Sequence, residues 1–118
     1  MIGLPSSVRV YLATEPTDMR FGIDRLFGRV KNYGFDPFSG HLFVFLSKRR
    51  NRAKILCWHR GGFVLWYKRL ERGRFRRTPR ATDGSTLQLD STELTLLLDG
   101  IDLRDVRRAR TWEPKKTA

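Results

Sequence analysis

The sequence predicts an α+β domain: an antiparallel β-meander of three to five strands, one amphipathic helix packed on it and a short C-terminal helix. Three observations support this fold class, namely apolar residues at helical spacing early in the chain, three strand-like apolar runs after them, and a leucine-rich stretch near the end. The length of 118 residues suits one domain, because domains mostly contain about 100–150 residues. Hydrophobic residues make up 40 % of the chain, which excludes a wholly disordered basic polypeptide.

The first part of the chain is predicted to form a strand followed by a helix. Val8 to Leu12 is rich in β-branched and aromatic residues, which favours a short strand. After it, apolar residues recur at spacings of three, four and seven, as on one face of an amphipathic helix. This stripe consists of Ile23, Leu26, Phe27, Val30 and Tyr33. Thr17 or Asp18 is a candidate N-cap, and Gly34 can end the helix in the left-handed conformation.

A three-strand meander is predicted after the turn-forming residues 36–40. Its strands correspond to three apolar runs, Leu42 to Leu46, Ile55 to Trp58 and Phe63 to Tyr67. Gly61-Gly62 between the last two runs favours a tight hairpin, because glycine readily supplies positive φ. The runs are almost continuously apolar, so both faces of the sheet should be covered. The helix can cover one face, and a second copy of the chain in a homodimer is a candidate for the other; Trp58 and Trp66 are expected in the core.

Two further elements are predicted before a polar tail. Residues 87–89 alternate between apolar and polar, which indicates a short strand. Residues 94–98 are leucine-rich, follow the candidate caps Asp90 and Ser91 and precede a glycine, which indicates a helix of about two turns. Residues 1–103 are therefore predicted to form a single α+β domain, and residues 104–118 a polar tail that frays.

The net charge is concentrated in one part of the domain, the basic segment over residues 48–80. It contains 13 Lys and Arg residues against one acid, Glu71, whereas the other 85 residues hold 11 basic and 11 acidic groups. Such a one-signed surface exceeds what solubility requires and destabilises a fold by self-repulsion. Of the 24 basic residues 18 are Arg, whose planar guanidinium binds phosphate through paired hydrogen bonds. The pattern predicts a surface for a polyanion, with nucleic acid favoured over acidic proteins or a membrane.

Two parts of the basic segment are predicted to contact nucleic acid. Residues 48–52 should form the exposed tip of a hairpin, and residues 71–80 an arm that leaves the body of the domain. Phe75, between two arginines, is the best candidate for stacking on a base. Arg72-Gly73-Arg74 is similar to the core of hooks that enter A·T-rich minor grooves. The predicted nucleic-acid-binding residues are Lys48, Arg49, Arg50, Arg52, Arg60, Arg72, Arg74, Phe75, Arg76, Arg77 and Arg80.

The sequence predicts no catalytic, metal-binding or cofactor-binding site. Metal-dependent strand transfer needs two or three converging carboxylates, and the acids here are scattered along the chain. His41 and His59 lie in separate apolar runs, which disfavours a paired metal site. Cys57 is the single cysteine, which excludes an internal disulfide and favours a reducing compartment such as the bacterial cytoplasm. Binding of nucleic acid would place the protein with the nucleoid there. Apolar runs fall short of the roughly 20 residues that span a bilayer, so no membrane partner is expected.

Several blocks of the sequence carry a resemblance to a known family. They are Asp18-Met19-Arg20, Asp36 to Phe45, Lys54-Ile55-Leu56, Leu65 to Phe75 and Leu96 to Asp102, in that order. Together they resemble the TnpB accessory protein, the product of the second open reading frame of the insertion-sequence-66 family of bacterial transposable elements. The resemblance implies a small protein that is encoded beside a separate, larger transposase and is needed for movement of the element.

Charge and resemblance together predict a non-enzymatic accessory protein of DNA transposition. It should bind DNA mainly through phosphate contacts of the Arg-rich segment and help the transposase act on the element ends. Two alternatives remain open. The basic face could dock on the transposase as a protein–protein adaptor, or the domain could bind RNA.

Overall fold

The protein folds as a five-stranded sheet with one α-helix on each face, as seen in a computed structural model that describes residues 7–75 and 84–99. The strands are β1 (Val10–Ala13), β2 (Leu42–Leu46), β3 (Arg52–His59), β4 (Gly62–Arg69) and β5 (Thr86–Leu89). The helices are α1 (Ile23–Asn32), α2 (Ser91–Leu98) and a short 3₁₀-helix (Pro37–Ser39). The predicted α+β class, with a helix on the sheet and a short C-terminal helix, is confirmed.

The sheet has the order β4-β3-β2-β1-β5 and is antiparallel except between β1 and β2. The β2-β3-β4 meander has the predicted antiparallel pairing. β1 runs parallel to β2, with α1 in the connection between them, and β5 pairs with the outer edge of β1. The C-terminal ends of β1 and β2 therefore meet at the end of the sheet from which the β2–β3 hairpin projects.

Side chains of each central strand alternate between two apolar layers, as the pleat of a sheet requires. On β2, Phe43 and Phe45 pack towards α1, which contributes its buried residues Leu26 and Val30. Val44 faces the opposite layer, which also contains three buried leucines of α2. α2 of the same chain covers part of that layer, and the predicted homodimer stays a prediction.

Phe75 completes the layer beneath α2. Phe75 is 0 % exposed and belongs to the buried cluster that contains Val44, Ala53 and Leu94, and Leu70 packs against the same cluster. The prediction that Phe75 is free to stack on a base is wrong, because burial of the ring in the core leaves no face open to a ligand. Trp66, predicted in the core, is 40 % exposed because the face of β4 that carries it is incompletely covered.

The β3–β4 hairpin turns one residue earlier than predicted. His59 pairs with Gly62, so the two-residue turn is Arg60-Gly61 rather than Gly61-Gly62. Both turn residues have positive φ, 45° for Arg60 and 83° for Gly61, which matches the twist of the flanking strands.

The N-terminus of α1 also differs from its prediction. Gly22 is the N-cap and no side chain caps the helix, whereas Asp18 forms a separate turn by accepting a hydrogen bond from the Arg20 amide. At the other end, Gly34 has φ 89°, as predicted for the residue after the helix. Of the two caps predicted for α2, Asp90 is the one used, and it forms a reciprocal capping box with Glu93.

Some predictions fall on residues outside those described. They are the polar tail over 104–118 and the contact residues Arg76, Arg77 and Arg80. The single-domain boundary at residue 103 stays a prediction. Within residues 7–75 and 84–99, neither α-helix has the length and apolar character of a transmembrane span.

Replacing Phe75 by Ala should lower the free energy of unfolding by about 3–5 kcal/mol, because it removes a fully buried ring. Trp66→Ala is the control and should lower the free energy of unfolding by clearly less, since Trp66 is 40 % exposed. Urea denaturation followed by circular dichroism measures both, and Phe75→Leu supplies a milder variant if the alanine variant does not fold. Equal losses in the two alanine variants would contradict the burial of Phe75.

Candidate nucleic-acid interface

The β2–β3 hairpin tip projects from the sheet as predicted, and hydrogen bonds within the tip hold its conformation. The Ser47 amide donates to the Arg52 carbonyl at 3.0 Å, and the Arg50 amide donates to the Ser47 carbonyl at 2.9 Å. The Arg52 amide donates to Ser47 Oγ at 3.2 Å. Arg50 takes a positive φ of 56°, which reverses the chain. These bonds hold Lys48 and Arg49 on an ordered turn with both side chains exposed.

The chain that follows β4 folds back onto this hairpin tip. The Leu70 amide donates to the Asn51 carbonyl at 2.7 Å, and the Phe75 amide donates to the Arg50 carbonyl at 2.6 Å. Leu70 and Phe75 pack in the core, so residues 70–75 form a loop that is anchored at both ends. The prediction of an arm leaving the body at Glu71 is therefore wrong for residues 71–75.

Two basic loops thus meet at one end of the sheet. Gly73, with φ 83°, lies between Arg72 and Arg74, and both arginines are exposed. We call the five exposed cations of the two loops the basic end: Lys48, Arg49, Arg52, Arg72 and Arg74. Within residues 7–75 and 84–99, none of the five forms an ion pair with a carboxylate.

A like-charge pair lies at the base of the basic end. Arg52 and Arg69 are directly opposite each other on β3 and β4, where side chains of equal charge repel. Glu71 offsets the charge of Arg69 through an ion pair at 2.7 Å. Glu71, the only acid of the basic segment, is thus engaged by Arg69, and Arg52 keeps its charge exposed.

Two lysines of the basic segment have structural roles. Lys54 Nζ donates to the carbonyls of Met19 and Phe21, at 2.8 and 2.9 Å, and so ties the turn before α1 to β3. Lys68 Nζ donates to the Leu98 carbonyl at 3.2 Å, at the C-terminal end of α2. Their charges stabilise the fold and the helix end rather than extending the basic end.

The remaining predicted contact residues do not all join the basic end. Arg50 is half-buried, and its backbone carries the bond to Phe75. Arg60 is in the β3–β4 turn, eight residues along β3 from Arg52, and hence roughly 26 Å away. At physiological salt that separation is several Debye lengths, so Arg60 acts independently.

A turn that sequence reasoning did not include in the site lies beside the hairpin tip. The Thr17 amide donates to the Leu46 carbonyl at 2.9 Å, which places residues 17–20 next to Ser47 and Lys48. Arg20 donates to both carboxylate oxygens of Asp18, the shortest contact being 2.7 Å. This hydrogen-bonded arginine lowers the pKa of Asp18 from 3.8 to about 2. The sequence signal for this turn is the Asp18-Met19-Arg20 block of the family resemblance.

The groups considered above for catalysis have structural contacts. Burial raises the pKa of the Cys57 thiol, and its Sγ lies 3.4 Å from the Trp58 carbonyl oxygen. His41 Nδ1 accepts a hydrogen bond from the Arg9 amide. Across the described part of the chain, no three His, Cys, Asp or Glu residues are grouped so that they could hold a metal ion.

Comparison with known proteins identifies the family. A family model described as "IS66 Orf2 like protein" matches residues 8–108, which include both basic loops and the Asp18–Arg20 turn. The chain belongs to this family. The resemblance found from the sequence blocks is therefore confirmed, and it associates the IS66 Orf2-like chain with insertion sequences and with an accessory role in transposition.

Two relatives match over nearly their whole length. "Uncharacterized protein y4jC" of Sinorhizobium fredii (strain NBRC 101917 / NGR234) is 36 % identical over 119 residues and covers 100 % of both chains. "Uncharacterized protein y4hO" of the same strain is 39 % identical over 116 residues, covering 96 % of this chain and 97 % of its own. No solved structure matches significantly.

Replacing Arg52 by Thr should raise the free energy of unfolding by a few tenths to about 1 kcal/mol at low salt, because it removes the repulsion with Arg69. The gain should shrink in high salt, which screens exposed charges. Arg69→Thr is the control: it removes the same repulsion but also the ion pair with Glu71, so its gain should be smaller. Urea denaturation at two salt concentrations measures this, and a loss of stability for Arg52→Thr at low salt would contradict the account.

Proposed function

We propose that this IS66 Orf2-like protein is a non-enzymatic accessory factor of transposition that binds DNA through its basic end. The observation that carries the proposal is the meeting of two basic loops at one end of the sheet, joined by backbone hydrogen bonds from Leu70 and Phe75. A polyphosphate matches a fold that holds five exposed cations together, none of which pairs with a carboxylate in the described residues. Assembly of the element ends together with the transposase is the step that it would assist.

Phosphate contacts should dominate the binding. Four of the five cations are arginines, which bind phosphate through two parallel hydrogen bonds. Both loops are anchored before they meet a ligand, so little conformational entropy is lost on binding. Gly73 with positive φ places Arg72 and Arg74 on the turn of one loop, which suits insertion into a minor groove.

The absence of an enzymatic role is part of the proposal. Transposition chemistry by metal ions requires converging carboxylates. In the described residues, Asp18 and Glu71, the acids nearest the basic end, each pair with an arginine. The transposase would therefore supply the chemistry, and this protein would supply binding and positioning of DNA.

An adaptor function is the second candidate, because β4 exposes apolar side chains. Val64 is 51 % exposed and Trp66 is 40 % exposed, and they lie on the same face of the strand. Such a face suits a protein partner. Co-purification with the transposase after nuclease treatment, combined with no retardation of free DNA, would favour this function over DNA binding; stronger competition by RNA than by duplex DNA would favour the RNA-binding alternative.

The affinity for duplex DNA should fall with salt, with a slope of log affinity against log salt at least as steep as about −4, since five phosphate contacts predict roughly −4 to −5. Fluorescence anisotropy of a labelled duplex, titrated at several salt concentrations, measures the slope. Competition with single-stranded DNA and RNA at fixed salt ranks the three ligands. A slope near zero would remove the proposal.

The double variant Arg72→Ala, Arg74→Ala should bind all duplex sequences more weakly and reduce the magnitude of the salt slope by about 2, as expected for the loss of two phosphate contacts. The control is Arg9→Ala, Lys31→Ala, which removes two exposed cations away from the basic end. Equal losses in the two double variants would mean that net charge, and not the basic end, determines binding.

A further inference from the structure

An open groove of about 490 Å³ lies between the turn before α1 and the tip of the β2–β3 hairpin. Residues 17–20 line one side, and residues 47–49, 51 and 52 line the other. Its volume falls within the range of small-ligand sites, about 300–1,000 Å³, and exceeds that of a single phosphate group. The groove therefore has room for a sugar–phosphate unit beside the exposed basic end.

The charge of the groove favours an anion. Four cations line it against one acid, Asp18, which leaves a net charge of +3. The acid is engaged by the Arg20 side chain and by the Arg20 amide at 2.9 Å. The Arg20 side chain is 91 % exposed, so it can turn towards a ligand at little cost, because exposed ion pairs contribute little to stability.

The buried hydroxyl of Thr17 is a second feature, independent of charge, that indicates a ligand in the groove. Its residue is 3 % exposed, and among the described residues its hydroxyl Oγ1 has no hydrogen-bond partner. Its amide is bonded to Leu46, which fixes the residue at the groove wall. Leaving a buried hydroxyl without a partner is unfavourable, so a ligand oxygen that reached Oγ1 from the groove would be stabilised there.

We propose that this groove binds one sugar–phosphate unit of the DNA backbone, with Arg20 and the Thr17 hydroxyl contacting the phosphate opposite Lys48, Arg49 and Arg52. The inference rests on the proposed DNA binding and deepens it. It extends the interface from the two basic loops to a third segment of the chain. It also gives the Asp18-Arg20 pair a function, since Asp18 holds the arginine at the groove until a phosphate replaces it.

Arg20→Gln should weaken duplex binding about fivefold to tenfold at fixed salt and reduce the magnitude of the salt slope by about 0.9, as expected for one lost phosphate contact. Arg9→Gln is the matched control, because Arg9 is also exposed but lies beside His41 at the opposite end of β2. Fluorescence anisotropy with the labelled duplex measures both variants. Loss of affinity in Arg20→Gln with the slope of the wild-type protein would indicate a purely structural role for Arg20 and overturn the proposal.

Thr17→Val tests the hydroxyl separately from charge. The variant should keep or raise the Tm, because it removes a buried polar group that has no partner. It should nevertheless bind duplex DNA about threefold to tenfold more weakly, with an unchanged salt slope. Wild-type affinity in this variant would overturn the role of the hydroxyl, and if the variant does not fold, Arg20→Gln still decides the groove.

The source of the phosphate is distinguished by titrating the wild-type protein, observed by NMR, with thymidylyl-thymidine, with thymidine 5′-monophosphate and with thymidine. The dinucleotide should shift the amide signals of Thr17 and Arg20 more than the mononucleotide does, and thymidine should not shift them. A larger effect of the mononucleotide would overturn a backbone site in favour of a terminal-phosphate site.

Failure of the groove and failure of the proposed function give different results. If wild-type protein binds duplex DNA while Arg20→Gln matches Arg9→Gln, the groove is not used and the proposed function stands. If wild-type protein does not bind DNA, the proposed function itself fails.

Discussion

Two backbone hydrogen bonds and two apolar anchors hold the basic loops together, and the distribution of charge on the protein depends on them. The amides of Leu70 and Phe75 donate to the carbonyls of Asn51 and Arg50, and the Leu70 and Phe75 side chains pack in the layer beneath α2. These contacts act against the mutual repulsion of five exposed cations. Burial of a phenylalanine, on the order of 1.5–3 kcal/mol, is large enough to oppose it because water and salt weaken repulsion at the surface. The same residues, Leu70 and Phe75, therefore complete the core and position the candidate interface.

The number of basic residues in the sequence overstates the charge of the candidate interface. Lys54 donates to two backbone carbonyls within the fold and Lys68 to one, and Arg69 pairs with Glu71. Sequence reasoning could locate the basic segment because its charge is local in the chain. It could not separate structural lysines from exposed arginines, nor place Phe75 in the core. Both depend on which side chains lie against the rest of the fold and which lie on its surface.

The meander and both helices were predictable because their patterns are local: strand-like runs, a helical stripe and a cap residue before a leucine-rich run each span a few residues. The parallel pairing of β1 with β2 was not, since it joins Val10 to Leu42 across the whole of α1. The groove also depends on a contact between residues that are distant in the sequence. Thr17 and Lys48 are far apart in the chain and come together because the Thr17 amide bonds to the end of β2. Contacts of this kind leave no periodic signal in a sequence.

The most direct test of the account is a map of backbone amide shifts of the protein, observed by NMR during titration with duplex DNA. The account predicts that shifts concentrate in residues 47–52 and 70–75 and that both loops saturate together, since they form one rigid surface. The turn at Arg60 should change little, because it lies at the opposite end of β3. Shifts centred on that turn, or loops that saturate at different DNA concentrations, would contradict the claim that the basic end is the DNA-binding surface.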